Sequence, residues 1–201
     1  MRTLIIDTAT KACSVALFDD GALLASCHEI IGRGHAERLL PLIAGLPDQG
    51  RAQMIMVNVG PGSFTGIRVG VAAARALALA WKADIAGYGC LHLVAAMAAK
   101  QINPAQAIDV VMTGGHSEYY FQHFTADGLP DTAPVSVSLA TLAPLLRAPI
   151  IAGDIPDAGT ARHIDIIPDA SKWYLIAKLP TFSPSPVYCR APDATLPKAR
   201  P

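Results

Sequence analysis

The sequence predicts an α/β fold in which one arrangement of strands and helices is used twice. The order strand, strand, strand, helix, strand runs through residues 3–59 and begins again after Asn103-Pro104. Each run carries an Asp-Gly turn between its second and third strands, at Asp20-Gly21 and at Asp127-Gly128. Asp-Gly tolerates the positive φ that such turns require. The 201 residues are 52% hydrophobic and 16% charged, whereas soluble domains average about 25% charged. So little charge implies a large core, or apolar surface kept for a permanent partner, because permanent interfaces resemble a core cut in half. A compact, Ala-rich enzyme would have the same composition.

The elements follow in order. Residues 3–7 read as a buried strand that Asp7 ends, 12–18 as its neighbour, and 22–29 as the return strand. A helix follows, with Ala36, Leu39, Leu40 and Ile43 at i, i+3, i+4 and i+7. Pro41 lies inside that pattern and predicts a kink. Residues 53–59 are a strand, 60–66 a glycine-rich turn, 65–82 a long helix, 84–87 a short strand and 90–99 a helix. In the second run, 108–112, 118–124 and 135–137 read as strands, 139–147 as a helix and 150–151 as a strand. The loop Gly153-Asp154-Ile155-Pro156, a strand over 164–167 and a helix over 171–179 complete it. Pro180, Pro184, Pro186, Pro192, Pro197 and Pro201 predict an extended, docked end. The chain therefore divides into lobes 1–102 and 103–201, the second shorter. A duplicated order of this kind is that of the actin, hexokinase and Hsp70 class, the actin-like ATPase (ASKHA, RNase H-like) fold.

Several function classes are excluded by composition and spacing. The 16 basic and 16 acidic side chains cancel, and a protein that grips nucleic acid alone carries a basic excess. Lys198-Ala199-Arg200 reads as a solvated end. Cys13, Cys27, Cys90 and Cys189 form no CxxC pair, which argues against a zinc ribbon or a redox motif and fits a reducing compartment. His28, His35, His92, His116, His123 and His163 lack the HxxxH or HExxH spacing of a zinc peptidase. A Gly-x-Ser-x-Gly nucleophile elbow is absent as well. Met1-Arg2 leads into a short apolar run with no signal-peptide pattern. The most apolar helix, 69–81, is shorter than the ~20 residues of a membrane span and contains Arg75. A cytoplasmic protein without membrane contact is expected.

Three segments could carry chemistry. Gly60-Pro61-Gly62-Ser63-Phe64-Thr65-Gly66-Ile67-Arg68-Val69-Gly70 joins a strand to a helix. Its glycines let backbone N–H groups approach an anion at a helix N-terminus. It is neither a Walker A loop nor a GxGxxG site. By spacing alone, a tight turn capped by Ser63 or Thr65 is the preferred reading. Asp7-Thr8-Ala9-Thr10 stands where actin-like ATPases hold Mg²⁺ through water and touch phosphate, with Ala9 where glycine would allow close approach. A strand-end Asp capping its own turn is the alternative. Thr113-Gly114-Gly115, at the equivalent point of the second lobe, offers glycines but no acid. Half the catalytic equipment is missing, and nucleotide hydrolysis is not expected.

Ile6-Asp7-Thr8-Ala9-Thr10, Ala12-Cys13-Ser14-Val15-Ala16-Leu17, Arg33-Gly34-His35-Ala36-Glu37-Arg38-Leu39-Leu40-Pro41, residues 60–70 and Pro186-Val187-Tyr188-Cys189-Arg190 together resemble the bacterial TsaB (YeaZ) family, almost end to end. One departure is that Thr113-Gly114-Gly115 replaces the family's Asp-Ala-Arg turn before Glu118 and Tyr120. The resemblance implies a non-catalytic subunit in the synthesis of threonylcarbamoyladenosine on tRNA. Such a subunit binds TsaD, the metal-bearing transferase, through a helical bundle, and TsaE joins the assembly. It forms a homodimer on the same surface when TsaD is absent, and meets tRNA only through the complex. It carries no metal and no cofactor, with ATP or ADP confined to an interface of the complex. Arg68 and Arg75, seven residues apart, share a helix face with Ala72 and Leu79. With His35 and Leu39 of the preceding helix, they are the expected partner surface. Asp7, Thr8, Gly60, Gly62, Ser63, Thr65 and Gly66 form the expected structural loop or nucleotide contact. A competing reading is an active, small actin-like ATPase or phosphotransferase, and a third is a standalone nucleotide-sensing module.

Overall fold

The computed structural model describes residues 1–115, 117–155 and 162–189. His116, Pro156, Arg190, Pro192, Pro197, Pro201 and the Lys198-Ala199-Arg200 cluster lie outside the described residues. The first half contains β1 (Arg2–Asp7), β2 (Ala12–Asp19), β3 (Ala22–Ile30), α1 (His35–Ala44), β4 (Met54–Asn58), α2 (Phe64–Trp81), β5 (Asp84–Tyr88) and α3 (Cys90–Ala99). The second contains β6 (Ile108–Thr113), β7 (Glu118–Phe124), β8 (Val135–Ser138), α4 (Leu139–Leu142), β9 (Ile150–Gly153) and β10 (Arg162–Asp165).

The two five-stranded sheets have the same topology. The first runs β3-β2-β1-β4-β5 and the second β8-β7-β6-β9-β10. In each, the first three strands pair antiparallel and the last two join in parallel. The chain is thus a duplicated, two-lobed α/β protein of the actin-like class. The second lobe is reduced: residues 154–161 alone join β9 to β10, whereas residues 59–83, including α2, join β4 to β5.

Alternation along β1 sends its side chains into two cores. Leu4 and Ile6 meet Leu39, Ile43, Ile67, Val71 and Ala74 of α1 and α2. Ile5 faces the other way, onto a cluster with Phe18, Met56 and Leu93 of α3. Helix α3 carries no charge and is buried on nearly every side. Its Leu91, Val94, Ala95 and Ala98 pack on Ile108, Val110 and Phe124 of the second sheet. A short 3₁₀ helix, Ala170–Leu175, returns to the first sheet, where Ala170 and Ile176 join the Ile5 cluster. The halves therefore exchange their last helical segments, and this shared core accounts for the low charge content.

Four expectations are corrected. Residues 139–147 form one short turn of α4 and then a 3₁₀ turn, Ala143–Leu145, because Pro144 has no N–H for the α ladder. The helix expected over 171–179 is the 3₁₀ helix: Ile176 N–H bonds to Trp173 and Leu179 N–H to Ile176, three residues back. The strand placed at 164–167 lies at Arg162–Asp165, in parallel register with β9. Helix α1 turns His35, Leu39, Leu42 and Ile43 inward, leaving Ala36 and Leu40 exposed. Pro41 lies within α1, which continues to Ala44.

Helix α2, with 18 residues, is long and apolar enough to cross a membrane by length and composition. Its Ile67, Val71, Ala74 and Ala78 form the stripe that covers the first sheet. Beyond the 3₁₀ helix the chain turns over residues 176–178, and Phe182 then exchanges two backbone hydrogen bonds with Gly87 of the edge strand β5, at 2.7 and 2.9 Å.

Candidate functional site

Asp7 stands at the C-terminal end of β1 with no exposed surface. Its Oδ2 accepts from Asn58 Nδ2 at 2.7 Å and from Tyr88 Oη at 2.9 Å. Its Oδ1 accepts from the Ala9 N–H at 3.2 Å. The partners come from the ends of β4 and β5, so three adjacent parallel strand ends meet on one carboxylate. Burial pushes that carboxyl up to about 6, although the Asn58, Tyr88 and Ala9 hydrogen bonds each pull it down. Burial, with Asp7 alongside, also pushes the Tyr88 phenol well up, which keeps it a donor to Asp7.

The glycine-rich loop closes over the same turn. Ser63 N–H donates to the Ala9 carbonyl at 2.7 Å, and Thr8 Oγ1 donates to the Gly66 carbonyl at 2.7 Å. A Cβ on Gly62 would stand 2.2 Å from the Ala9 oxygen, and one on Gly66 would stand 2.0 Å from the Thr8 oxygen. These two glycines serve close backbone approach. Gly60 differs, with φ +100° and the Ile67 side chain beside it. Ser63 caps α2 by accepting from the Gly66 N–H, and Thr65 is an exposed first-turn residue.

The second lobe meets this loop directly. Tyr120 Oη donates to the Gly62 carbonyl at 3.1 Å. Asp154, at the end of β9, accepts from the Thr113 N–H at 2.7 Å, and Lys11 Nζ reaches it at 3.9 Å from the first lobe. An acid therefore does stand beside Thr113-Gly114-Gly115, supplied by a segment distant in sequence. Among the described residues, both Asp7 oxygens accept hydrogen bonds from the protein, the Ala9 carbonyl is bonded to Ser63, and no buried side-chain nitrogen or oxygen lacks a partner. Among the described residues, no group of three His, Cys, Asp or Glu is placed to hold a metal.

The expected partner surface divides. Arg68, Ala72, Arg75 and Leu79 are exposed along α2, Leu79 at 83%. His35 and Leu39 are not part of that surface. Leu39 is 1% exposed in the core, and His35 Nε2 bonds to the Ala12 carbonyl at 3.1 Å. They share the inward stripe of α1, so their place on the face is taken by Leu40, at 52% exposed. Both arginines of α2 are engaged. Arg75 donates to the Pro184 carbonyl at 3.0 Å and to Ser185 Oγ at 2.9 Å, and Arg68 donates to Tyr188 Oη at 2.8 Å. Arg68 also lies 3.6 Å above the Phe64 ring, which packs 5.4 Å from Tyr188.

The family profile described as "TsaD: tRNA N6-adenosine threonylcarbamoyltransferase" matches residues 28–141. The tRNA threonylcarbamoyladenosine biosynthesis protein TsaB of Escherichia coli K12 is 35% identical over 132 residues, 63% of this chain and 56% of that protein. TsaB of Haemophilus influenzae is 35% identical over 127 residues, 60% of this chain and 52% of that protein. The chain belongs to the TsaB (YeaZ) branch of this family. It spans about half the length of the curated TsaB proteins it matches. The crystal structure of YeaZ from Pseudomonas aeruginosa superposes with a TM-score of 0.76 at 25% identity, covering 93% of this chain and 99% of that one.

Within this TsaB-type chain, sequence reasoning found Asp7 and the glycines but missed Asn58 and Tyr88. Each is a polar side chain ending an otherwise apolar strand, and that was the available signal. The pairings of Lys11 with Asp154 and of Arg68 with Tyr188 gave no signal, since the partners lie more than a hundred residues apart.

Proposed function

We propose that this chain is a non-catalytic subunit of the machinery that makes N6-threonylcarbamoyladenosine on tRNA, and that it holds the TsaD transferase on the exposed face of α2. The observation that carries the reading is the closure of the β1 end: Asp7 spends both oxygens on Ala9, Asn58 and Tyr88. A wholly buried carboxylate with both oxygens held by the protein offers a substrate no open approach, and its raised carboxyl follows from that burial. The outward stripe supports the partner half of the reading, since Leu79 at 83% exposure shares with Ala72 an exposed stripe about 100° round the helix from the core stripe. Aromatic and arginine anchors such as Phe64 and Arg68 dominate binding energy in protein interfaces. The same face serves a homodimer when TsaD is absent. TsaE and tRNA are met through the complex, the setting is cytoplasmic, and the chain holds no metal or nucleotide of its own.

Leu79→Glu tests the interface. On an exposed helix the change alters stability by only about 0.5 kcal/mol, whereas a carboxylate in a dry interface costs several-fold more. The variant should stay folded and lose TsaD capture, read by calorimetry with purified TsaD. Undiminished binding would move the interface elsewhere. ATP turnover by the pure chain near ~1 s⁻¹, abolished by Asp7→Ala, would overturn the non-catalytic assignment.

A further inference from the structure

We propose that residues 180–189 are a displaceable strap, an internal stand-in that occupies the arginine face of α2 until an acidic segment of a partner protein replaces it. The inference rests on the partner-binding reading of α2.

The strap has a built seat. Gly87 and Gly60 leave room for it: a Cβ on Gly87 would stand 2.9 Å from the Ser183 carbonyl, and one on Gly60 would stand 3.2 Å from that of Val187. Its backbone ties to the sheet are Gly87 N–H to Phe182, Phe182 N–H to Gly87, and Val187 N–H to Val59. Pro184 and Pro186 pre-set an extended chain, so less disorder is lost on docking.

The seat is also loosely filled. Phe182 keeps 39% and Tyr188 47% of their surface exposed, and pairing with β5 is confined to one residue. The side-chain clasp is mismatched in charge. Among the described residues, Arg68 and Arg75 donate to neutral oxygens, the Tyr188 hydroxyl, the Pro184 carbonyl and the Ser185 hydroxyl. Among the described residues neither guanidinium pairs with a carboxylate. Carboxylates are roughly twice as strong as neutral acceptors for a guanidinium. Two of them about 10 Å apart, the rise of seven residues on a helix, would match both arginines at once. An acidic helix is therefore the occupant that this face fits better than its own tail.

The experiment uses the full chain with Tyr188→Ala and Ser185→Ala combined, which removes two clasp acceptors and leaves both arginines in place. Amide exchange at Gly87, Phe182 and Val187 reports strap docking, and calorimetry with TsaD reports binding. The strap predicts faster exchange at those three amides in the free variant. It also predicts TsaD binding about fivefold tighter than wild type, because the competent state no longer has to be uncovered. Unchanged exchange, or affinity equal to or below wild type, overturns it. Tyr188→Phe, which removes only one hydroxyl, gives the same readouts if the double variant does not fold. A helical peptide with glutamates at i and i+7, added to wild type, should speed exchange at the same amides, and no acceleration overturns the strap directly. Peptide displacement without any TsaD binding would instead remove the partner assignment and leave the strap standing.

Discussion

Asp7 is the residue on which the functional reading turns, and its titration is measurable. Its carboxyl rises from an ordinary 3.8 to about 6 because it is wholly buried. The folded chain therefore holds a proton that the unfolded chain releases between those values. Stability from this group is present below about pH 4 and is lost as pH rises through 6, an effect of order ~3 kcal/mol. Asp7→Asn removes the titration, so denaturant unfolding of the variant should vary less between pH 4 and 6 than that of wild type. A slope equal to wild type would assign the pH dependence to other groups. The glycines make a second residue-scale case. Gly66→Ala drives a Cβ into the Thr8 carbonyl, a fixed backbone atom. Overpacking of this kind costs about 1–3 kcal/mol, and a melting point lowered by about 2–12 °C is expected for a chain of this size. Asp7 and the glycines were legible in the sequence because each is an exception within an apolar run. Their partners were not, because Asn58 and Tyr88 reach Asp7 only through the β1–β4–β5 register.

At the scale of elements, the strands of the first sheet were legible to within a residue at each end, whereas β10 lies two residues earlier than its apolar run suggests. The faces of α1 were not. Leu39 and Leu40 are adjacent, and period 3.6 admits either on the inward side. Leu39 won because Leu42, Ile43 and His35 complete its stripe. The 3₁₀ helix Ala170–Leu175 was misread because its Trp173 and Ile176 satisfy a helical pattern at short range, while the chain must turn again at Pro180. Helix α3 is the element that joins the lobes, and Leu93 is fully buried between α3 and the first sheet. Leu93→Ala should cost about 2–5 kcal/mol. Its effect should show equally in far-ultraviolet circular dichroism and in Trp173 fluorescence, because Trp173 packs on Phe18 at 5.8 Å within the same cluster. Separate transitions for the two probes would show that the cluster is not a cooperative unit.

For the whole molecule, the duplication was visible in the order of elements, but the way the halves interlock was not. Sequence order suggests a boundary near residue 102, and the last strand of the first sheet ends at Tyr88 while the first strand of the second begins at Ile108. The packing crosses it twice, through α3 onto the second sheet and through Ala170–Leu175 onto the first. Neither crossing leaves a local trace, because a helix buried on two sides has no polar face to reveal its orientation.

That crossing has a consequence for how the protein is made. A ribosome delivers the chain from its N-terminus at about 5–20 residues per second. The first sheet is complete once Tyr88 has emerged, yet the face bearing Ile5, Ala16 and Phe18 waits for Ala170 and Ile176. Until Ile176 has emerged, α3 alone, through Leu93, covers part of that apolar face of the nascent chain. Residues 1–102 produced alone should therefore bind the dye ANS and sediment as aggregates, whereas the full chain should do neither. A soluble, dye-free fragment would mean that the first lobe closes without help from the last quarter of the sequence.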